Sequence, residues 1–276
     1  MRSNAVPSEF EDLLSRKGRR VLAGTHALCG VLGDPRTRFA ACHDLLDGAK
    51  ASRLRRALES ALLDRLEPIE RPIPPESIFG MRHDYAELLP KTTRARTIYF
   101  ESRREAGVVA AERLGLVRLL RSASFAAFAE ALAGRPLARN WGLQVLRYGP
   151  GDYAGPHNDH HPENAAARGG YIDLHLSLCA PGVAHQWLVY SRAGHFSEIV
   201  PLASPASITA YRLPFWHYTT PLLAKPGARD ASRWVLLGTF LYKPSAGPST
   251  GPSTGPSTGP SSGPSAGPTA GRAAPR

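Results

Sequence analysis

The chain has 276 residues, 26 of them glycine and 25 proline, and a formal net charge of +11. Glycine in its terminal repeat recurs every fourth residue, which excludes a collagen helix, and no run approaches the roughly 18 apolar residues of a membrane-spanning helix. Of its 34 basic residues 29 are arginine, and no basic run is interleaved with aromatics as on single-strand-binding surfaces, so no nucleic-acid partner is expected.

Cys29, Cys42 and Cys179 include no CxxC pair, which argues against both a disulfide framework and a zinc knuckle. Residues 21–33 faintly resemble a signal core but lie late and lack a convincing cleavage site. A reducing, cytoplasmic setting is therefore expected. The chain divides into a mainly helical region at 1–139, a strand-rich core at 140–244 and a GPST-repeat tail at 245–276, read as a spacer without a core of its own.

Leu54, Leu58, Ala61, Leu62 and Leu66 recur at helical spacing until Pro68. Residues 72–75 read as a stiff connector, and 100–121 as a second long helix. A third helix starts on Ser122 as N-cap, places Phe125, Phe128, Ala129 and Leu132 on one face, and closes at Gly134 and Pro136.

From Trp141 the hydrophobic period changes from about 3.6 to 2. In Tyr171–Cys179, Ile172, Leu174, Leu176 and Leu178 share one face, and Tyr171, Asp173, His175 and Ser177 share the other. That polar face is suited to lining a cavity or to meeting solvent. Further strands are expected at 185–190, 195–201, 206–212, 215–221 and 233–242, a series of short strands that suggests a sandwich or jelly roll.

His157 and Asp159 lie at i and i+2 in GPHNDHH. In an extended segment both leave one face, and a histidine from a distant strand would complete a three-ligand site with open positions, which suits Fe(II) and dioxygen. His217, in RLPFWHYTTPL, shares a face with Phe215 and Thr219 and is the first choice, with His185 and His195 as alternatives. Asp173 is an alternative carboxylate, although no histidine stands two residues before it.

The run RYGPGDYAGPHND before this pair, the distal histidine before a Thr-Pro-like turn, and the strand-opening Arg233 of SRWVLLGTFLY resemble the Fe(II)/2-oxoglutarate-dependent oxygenases, nearest the prolyl-hydroxylase-like branch. The resemblance covers residues 140–243. It implies an α+β protein with a double-stranded β-helix (jelly-roll) core preceded and flanked by helices. Fe(II) would be held by His157, Asp159 and His217, with 2-oxoglutarate and O2 as co-substrates. Arg233 would pair with the distal carboxylate of 2-oxoglutarate through its planar fork. Tyr148 would add a phenolic hydrogen bond, and His175 or Ser177 further contacts.

The segment LLAKPGARDAS lengthens the His217-to-Arg233 spacing as a hairpin and offers Lys225 and Arg229 as alternative anchors. His160, Tyr171, Trp187 and Trp216 are candidates for contact with a peptidyl or small-molecule substrate. The activity implied is hydroxylation of an unactivated C–H bond, releasing succinate and CO2. Two other readings compete. A cupin-type metalloenzyme would use the spacing of Gly151, His157, Glu163 and Gly170 and would need no Arg233. A basic binding module would need no chemistry.

Overall fold

Local sequence signals set the helices. In the computed structural model, which describes residues 6–73, 91–138, 142–159, 167, 169–192 and 195–243, a short α1 (Arg16–Leu22) is capped by Ser15. Next comes α2 (Gly48–Leu62), where the Asp47 side chain accepts from the Lys50 N–H at 2.9 Å. Its stripe of Ala51, Leu54, Leu58 and Leu62 is buried. Between these helices lies β1 (Phe39–His43).

The helix does not run to Pro68 as expected: it ends at Leu62, and Pro68 falls inside β2 (Glu67–Pro72). That strand pairs with β3 (Thr92–Tyr99) alone, and a proline without a donor is tolerated on such an edge. Residues 74 and 75 of the expected connector lie outside the described residues.

The expected helix over 100–121 is two helices, α3 (Ala106–Leu114) and α4 (Leu116–Leu120), broken at Gly115. Gly115 has φ 88°, a left-handed conformation that glycine adopts without a Cβ penalty and that ends helices. The third helix, α5 (Ala123–Ala133), begins and ends as its punctuation indicates. The Ser122 side chain accepts from Phe125 N–H, and Gly134 is left-handed.

The remaining strands are β4 (Gly142–Tyr148), β5 (Tyr153–His157), β6 (Tyr171–Cys179), β7 (Val183–His185), β8 (Trp187–Arg192), β9 (His195–Pro201), β10 (Ser207–Leu213), β11 (His217–Thr219), β12 (Leu223–Ala224) and β13 (Arg233–Leu241). Apart from β7 and β12, which pair with each other, they join β1, β2 and β3 in a sheet ordered β1-β10-β6-β13-β4-β3-β5-β11-β8-β9, with β2 on β3. The chain alternates between β10-β6-β13-β4 and β5-β11-β8-β9, as a jelly roll does, and both groups line one cavity. The expected double-stranded β-helix is therefore present.

The first half is less purely helical than its composition suggests, since β1, β2 and β3 all join the sheet. The 222–232 segment is not a hairpin of its own: β12 pairs with β7. Through Lys243 the chain is one compact unit. The repeat tail lies outside the described residues.

Helices α2 and α5 cover the outer face of β6 and β13. Ile172, Leu174 and Leu176 are fully buried in one core with Leu54, Leu58, Phe125 and Phe128. Phe125 packs against Phe240 with ring centres 5.7 Å apart and planes tilted by 48°, and it rides over Gly238, where an added Cβ would lie 2.6 Å from its ring. Glycine there lets α5 settle onto the sheet. Glu59 of α2 also binds β13 directly, accepting from the Trp234 indole and from Arg147 of β4 at 2.9 Å. Among the described residues no helix is long and apolar enough to cross a membrane.

Candidate metal centre and anion pocket

Strand pairing brings the first candidate ligands together across 60 positions of sequence. His157 closes β5, His217 opens β11, and the two are direct antiparallel partners, so their side chains leave adjacent backbones on one face. Their rings lie 4.3 Å apart. Asp159 joins them differently from the extended geometry expected. The strand ends at His157, and Asp159 has φ 53°, a left-handed conformation that aspartate adopts more readily than most residues. Its carboxylate oxygens lie 3.5 Å from His157 Nε2 and 3.4 Å from His217 Nε2. All three ligand atoms fall within 4.8 Å of one another, a group able to hold a metal ion.

The second bonds of this group are set as well. His157 Nδ1 faces the Gly155 carbonyl at 2.6 Å, and His217 Nδ1 faces the Phe215 carbonyl at 2.9 Å. A carbonyl only accepts, so each Nδ1 carries the proton and each Nε2 lone pair points to the metal position. Burial lowers the His217 pKa to about 4, with the neighbouring His157 adding to the effect. The neutral, ligating form is thus favoured. Tyr171 donates its hydroxyl to the Asp159 carbonyl at 2.6 Å and so holds the left-handed residue in place.

The triad opens on a cavity of about 390 Å³, within the range of ligand pockets. Arg233 lies in its wall, 3% exposed. Its Nε donates to Ser177 Oγ at 2.7 Å and its Nη1 to Gln186 Oε1 at 2.8 Å. Its guanidinium carbon sits 5.2 Å from the centre of the Tyr148 ring, whose own strand position is opposite Arg233. Among the described residues no carboxylate pairs with it. A buried guanidinium held only by neutral groups keeps donors available for an anion.

Of the other candidates, Tyr171, Asp173 and His175 line the cavity, and Asp173 is not part of the triad. Lys225 and Arg229 are absent from the lining, and Lys225 instead donates to the Pro181 carbonyl. His185 is exposed and stacks on Trp187, rings 5.9 Å apart. His195 opens β9 beside Arg192.

Trp187 and Trp216 do not line the cavity, for a reason of parity. Trp187 precedes the fully buried Leu188, and Trp216 stands between Phe215 and His217, whose rings stack 4.7 Å apart. Trp187 therefore leaves the opposite side of β8 from Leu188, and Trp216, just ahead of β11, alternates with Phe215 and His217. His160, His161 and the cupin-pattern Glu163 lie outside the described residues.

Sequence reasoning missed Gln186, a lone glutamine at a strand end that carries no motif. It also missed Ile69, Arg71, Thr93 and Tyr99, which enter the lining through the unforeseen β2–β3 pair.

No protein-family model and no curated protein sequence matches the chain. Among solved structures it is similar to a Pseudomonas putida prolyl-4-hydroxylase at 12% identity and TM-score 0.44, over 79% of this chain and 100% of that one. It is also similar to a 2OG-Fe(II) oxygenase-family oxidoreductase from Burkholderia pseudomallei, at 14% identity and TM-score 0.49, over 81% and 90%. A third is the alpha-ketoglutarate-dependent epimerase SnoN from nogalamycin biosynthesis, at 17% identity and TM-score 0.44, over 87% and 91%. With identities this low and TM-scores below 0.5, the chemistry is left to the side chains themselves.

Proposed function

We propose that the protein is an Fe(II)- and 2-oxoglutarate-dependent dioxygenase that hydroxylates an unactivated C–H bond of a peptidyl or small-molecule substrate. The observation that carries this reading is the pairing, in one cavity, of a His-Asp-His triad with a buried arginine that has no carboxylate partner among the described residues. Two imidazoles and one carboxylate suit ferrous iron and leave coordination positions open. A cupin-type centre would not require the buried arginine, and a binding module would require neither group.

Each residue has a task in this reading. His157, His217 and Asp159 hold the ion, with the protons kept on the two Nδ1 atoms. Tyr171 fixes the carbonyl of Asp159 and acts as a positioning residue. Arg233 receives the distal carboxylate of 2-oxoglutarate, while Ser177 and Gln186 spend two of its donors on keeping the fork in one orientation. Tyr148 packs its ring beside that fork. Leu146, Val235 and Leu237 supply apolar wall that excludes water. When bound, ferrous iron supplies the activation of dioxygen, with 2-oxoglutarate leaving as succinate and CO2 and the substrate carbon gaining a hydroxyl.

Anaerobic titration of the full chain with Fe(II) and 2-oxoglutarate tests the assignment. A weak visible charge-transfer band is expected in the wild type and not in His217→Ala. No band in the wild type, or the same band in the variant, overturns it. Full activity of Arg233→Ala without 2-oxoglutarate would favour the cupin reading instead.

A further inference from the structure

Arg233 is the first residue of β13, and residues 225–232 before it form no helix or strand. Ser177 and Gln186 orient its guanidinium, but they act on the far end of a long side chain. The near end is held from behind. Both sequence neighbours of Arg233 meet one acid of α2: Glu59 Oε2 accepts from the Trp234 indole and from Ser232 Oγ at 3.4 Å. Its other oxygen accepts from Arg147 at 2.9 Å. Arg147 precedes Tyr148, which is opposite Arg233 in the sheet and packs its ring beside the guanidinium. Glu59 thus holds the neighbours of both pocket residues without lining the cavity itself.

A second contact supports the first. One turn earlier on α2, Arg55 pairs with Asp230 at 3.0 Å, and Asp230 accepts from Ser232 Oγ at 3.3 Å. Residues four apart share a helix face, so α2 presents an arginine and an acid together to the 230–234 segment. Docking the helix does not require them, since Ala51, Leu54, Leu58 and Leu62 already bury its apolar stripe. Partly buried ionic groups add little stability over apolar ones of similar size. What a carboxylate adds is geometry, because hydrogen bonds fix angles as well as distances.

We propose that Glu59 is a positioning residue for 2-oxoglutarate. By holding Ser232, Trp234 and Arg147 from the outer side of the sheet, it sets where the Arg233 fork and the Tyr148 ring stand in the cavity. Naming the anion as 2-oxoglutarate rests on the dioxygenase reading. The link between Glu59 and the Arg233 pocket rests on the hydrogen bonds alone.

Two titrations of the full chain under argon test the role: glutarate by calorimetry without metal, and 2-oxoglutarate with Fe(II) by the charge-transfer band. Glu59→Gln keeps the size of the side chain and one acceptor oxygen, whereas Glu59→Leu keeps no acceptor. Affinity for both dicarboxylates should fall about 3-fold in Glu59→Gln and about 10-fold or more in Glu59→Leu, since small misplacements of a binding group are costly. Fe(II) or Co(II) affinity without 2-oxoglutarate should stay within about 2-fold, because the triad lies on other strands. A purely structural role would lower the melting temperature and leave dicarboxylate affinity per folded molecule unchanged. Trp234→Phe removes the indole donor and keeps the Glu59–Arg147 pair. It should weaken both dicarboxylates several-fold and is the arm to read if Glu59→Leu fails to fold.

Unchanged dicarboxylate affinity in the folded variants, or an equal fall in metal affinity, overturns the proposal. A band in the wild type together with unchanged affinities sinks the role of Glu59 and leaves the dioxygenase reading standing. Glutarate binding that depends on Glu59, with no band in the wild type, does the reverse. A wild type that binds neither dicarboxylate overturns both.

Discussion

The two faces of β6 and β13 are built from the same backbone and obey different rules. Toward α2 and α5 they present Leu174, Leu176, Trp234 and Phe240, all fully buried. Each of these is satisfied by packing alone, apart from the Trp234 indole, which donates to Glu59. Toward the cavity the same strands present Asp173, His175, Ser177 and Arg233, which are buried to a similar degree. There, among the described residues, two polar atoms lack a hydrogen-bond partner and one guanidinium is held without an acid. The outer face stabilises the fold. The inner face gives up stability to keep groups ready for ligands, a division common where function requires it.

Substitutions one residue apart on a single strand can break this contrast. Leu176→Ala, on the outer face, should cost about 2–5 kcal/mol in denaturant unfolding through transfer and cavity terms, with metal affinity per folded molecule unchanged. A comparable loss of stability from Ser177→Ala would contradict the division. His217→Ala should lower Fe(II) or Co(II) affinity by roughly 100-fold or more in calorimetry, since it removes a ligand outright and not only an outer partner. Its effect on stability should be small.

Subtler changes sharpen the same contrast on the inner face. Arg233→Lys keeps the charge and loses the fork. It should weaken 2-oxoglutarate binding by about 10-fold, read from the charge-transfer titration, given the strength of a charge-assisted bond. Tyr171→Phe removes the bond to the Asp159 carbonyl, and metal affinity should fall about 10-fold or slightly less. Trp187→Ala lies off the cavity and should alter stability by no more than about 0.5 kcal/mol and metal affinity not at all. A marked loss of metal or 2-oxoglutarate binding in that variant would show that the outer surface reaches the site.

Much of the site was legible because strand parity is a sequence property. The alternation in Tyr171–Cys179 separated a polar face from an apolar one before any fold was known: Tyr171, Asp173 and His175 line the cavity, and Ile172, Leu174, Leu176 and Leu178 lie in the core. The same parity placed Phe215, His217 and Thr219 together, and applied to Trp216 it would have excluded that residue from the cavity. Asp159 was identified by residue type, but the end of β5 at His157 and the left-handed turn were not. Nothing local distinguishes a strand that continues from one that stops.

The strands β1 and β2 escaped notice because both are short edge strands, and β3 because its polar, arginine-bearing start, TTRAR, reads as loop. They are strands because a partner is present: β1 has β10, and β2 has β3, which in turn pairs with β4 and β5. Gln186 became an anchor for Arg233 only once β7 and β8 carried it under the opening of β13. Glu59 likewise reached Trp234 only by the docking of α2.

By itself the sequence determined the residue types of the triad, the inward and outward faces of the long strands, and the caps of α5, because periodicity and capping act over a few residues. Tertiary structure alone decided which histidine meets which, which arginine is buried without an acid among the described residues, and which carboxyl lines the cavity beside His175. Those outcomes depend on register between strands distant in sequence, 60 positions apart for His157 and His217, and on burial, which no local pattern encodes.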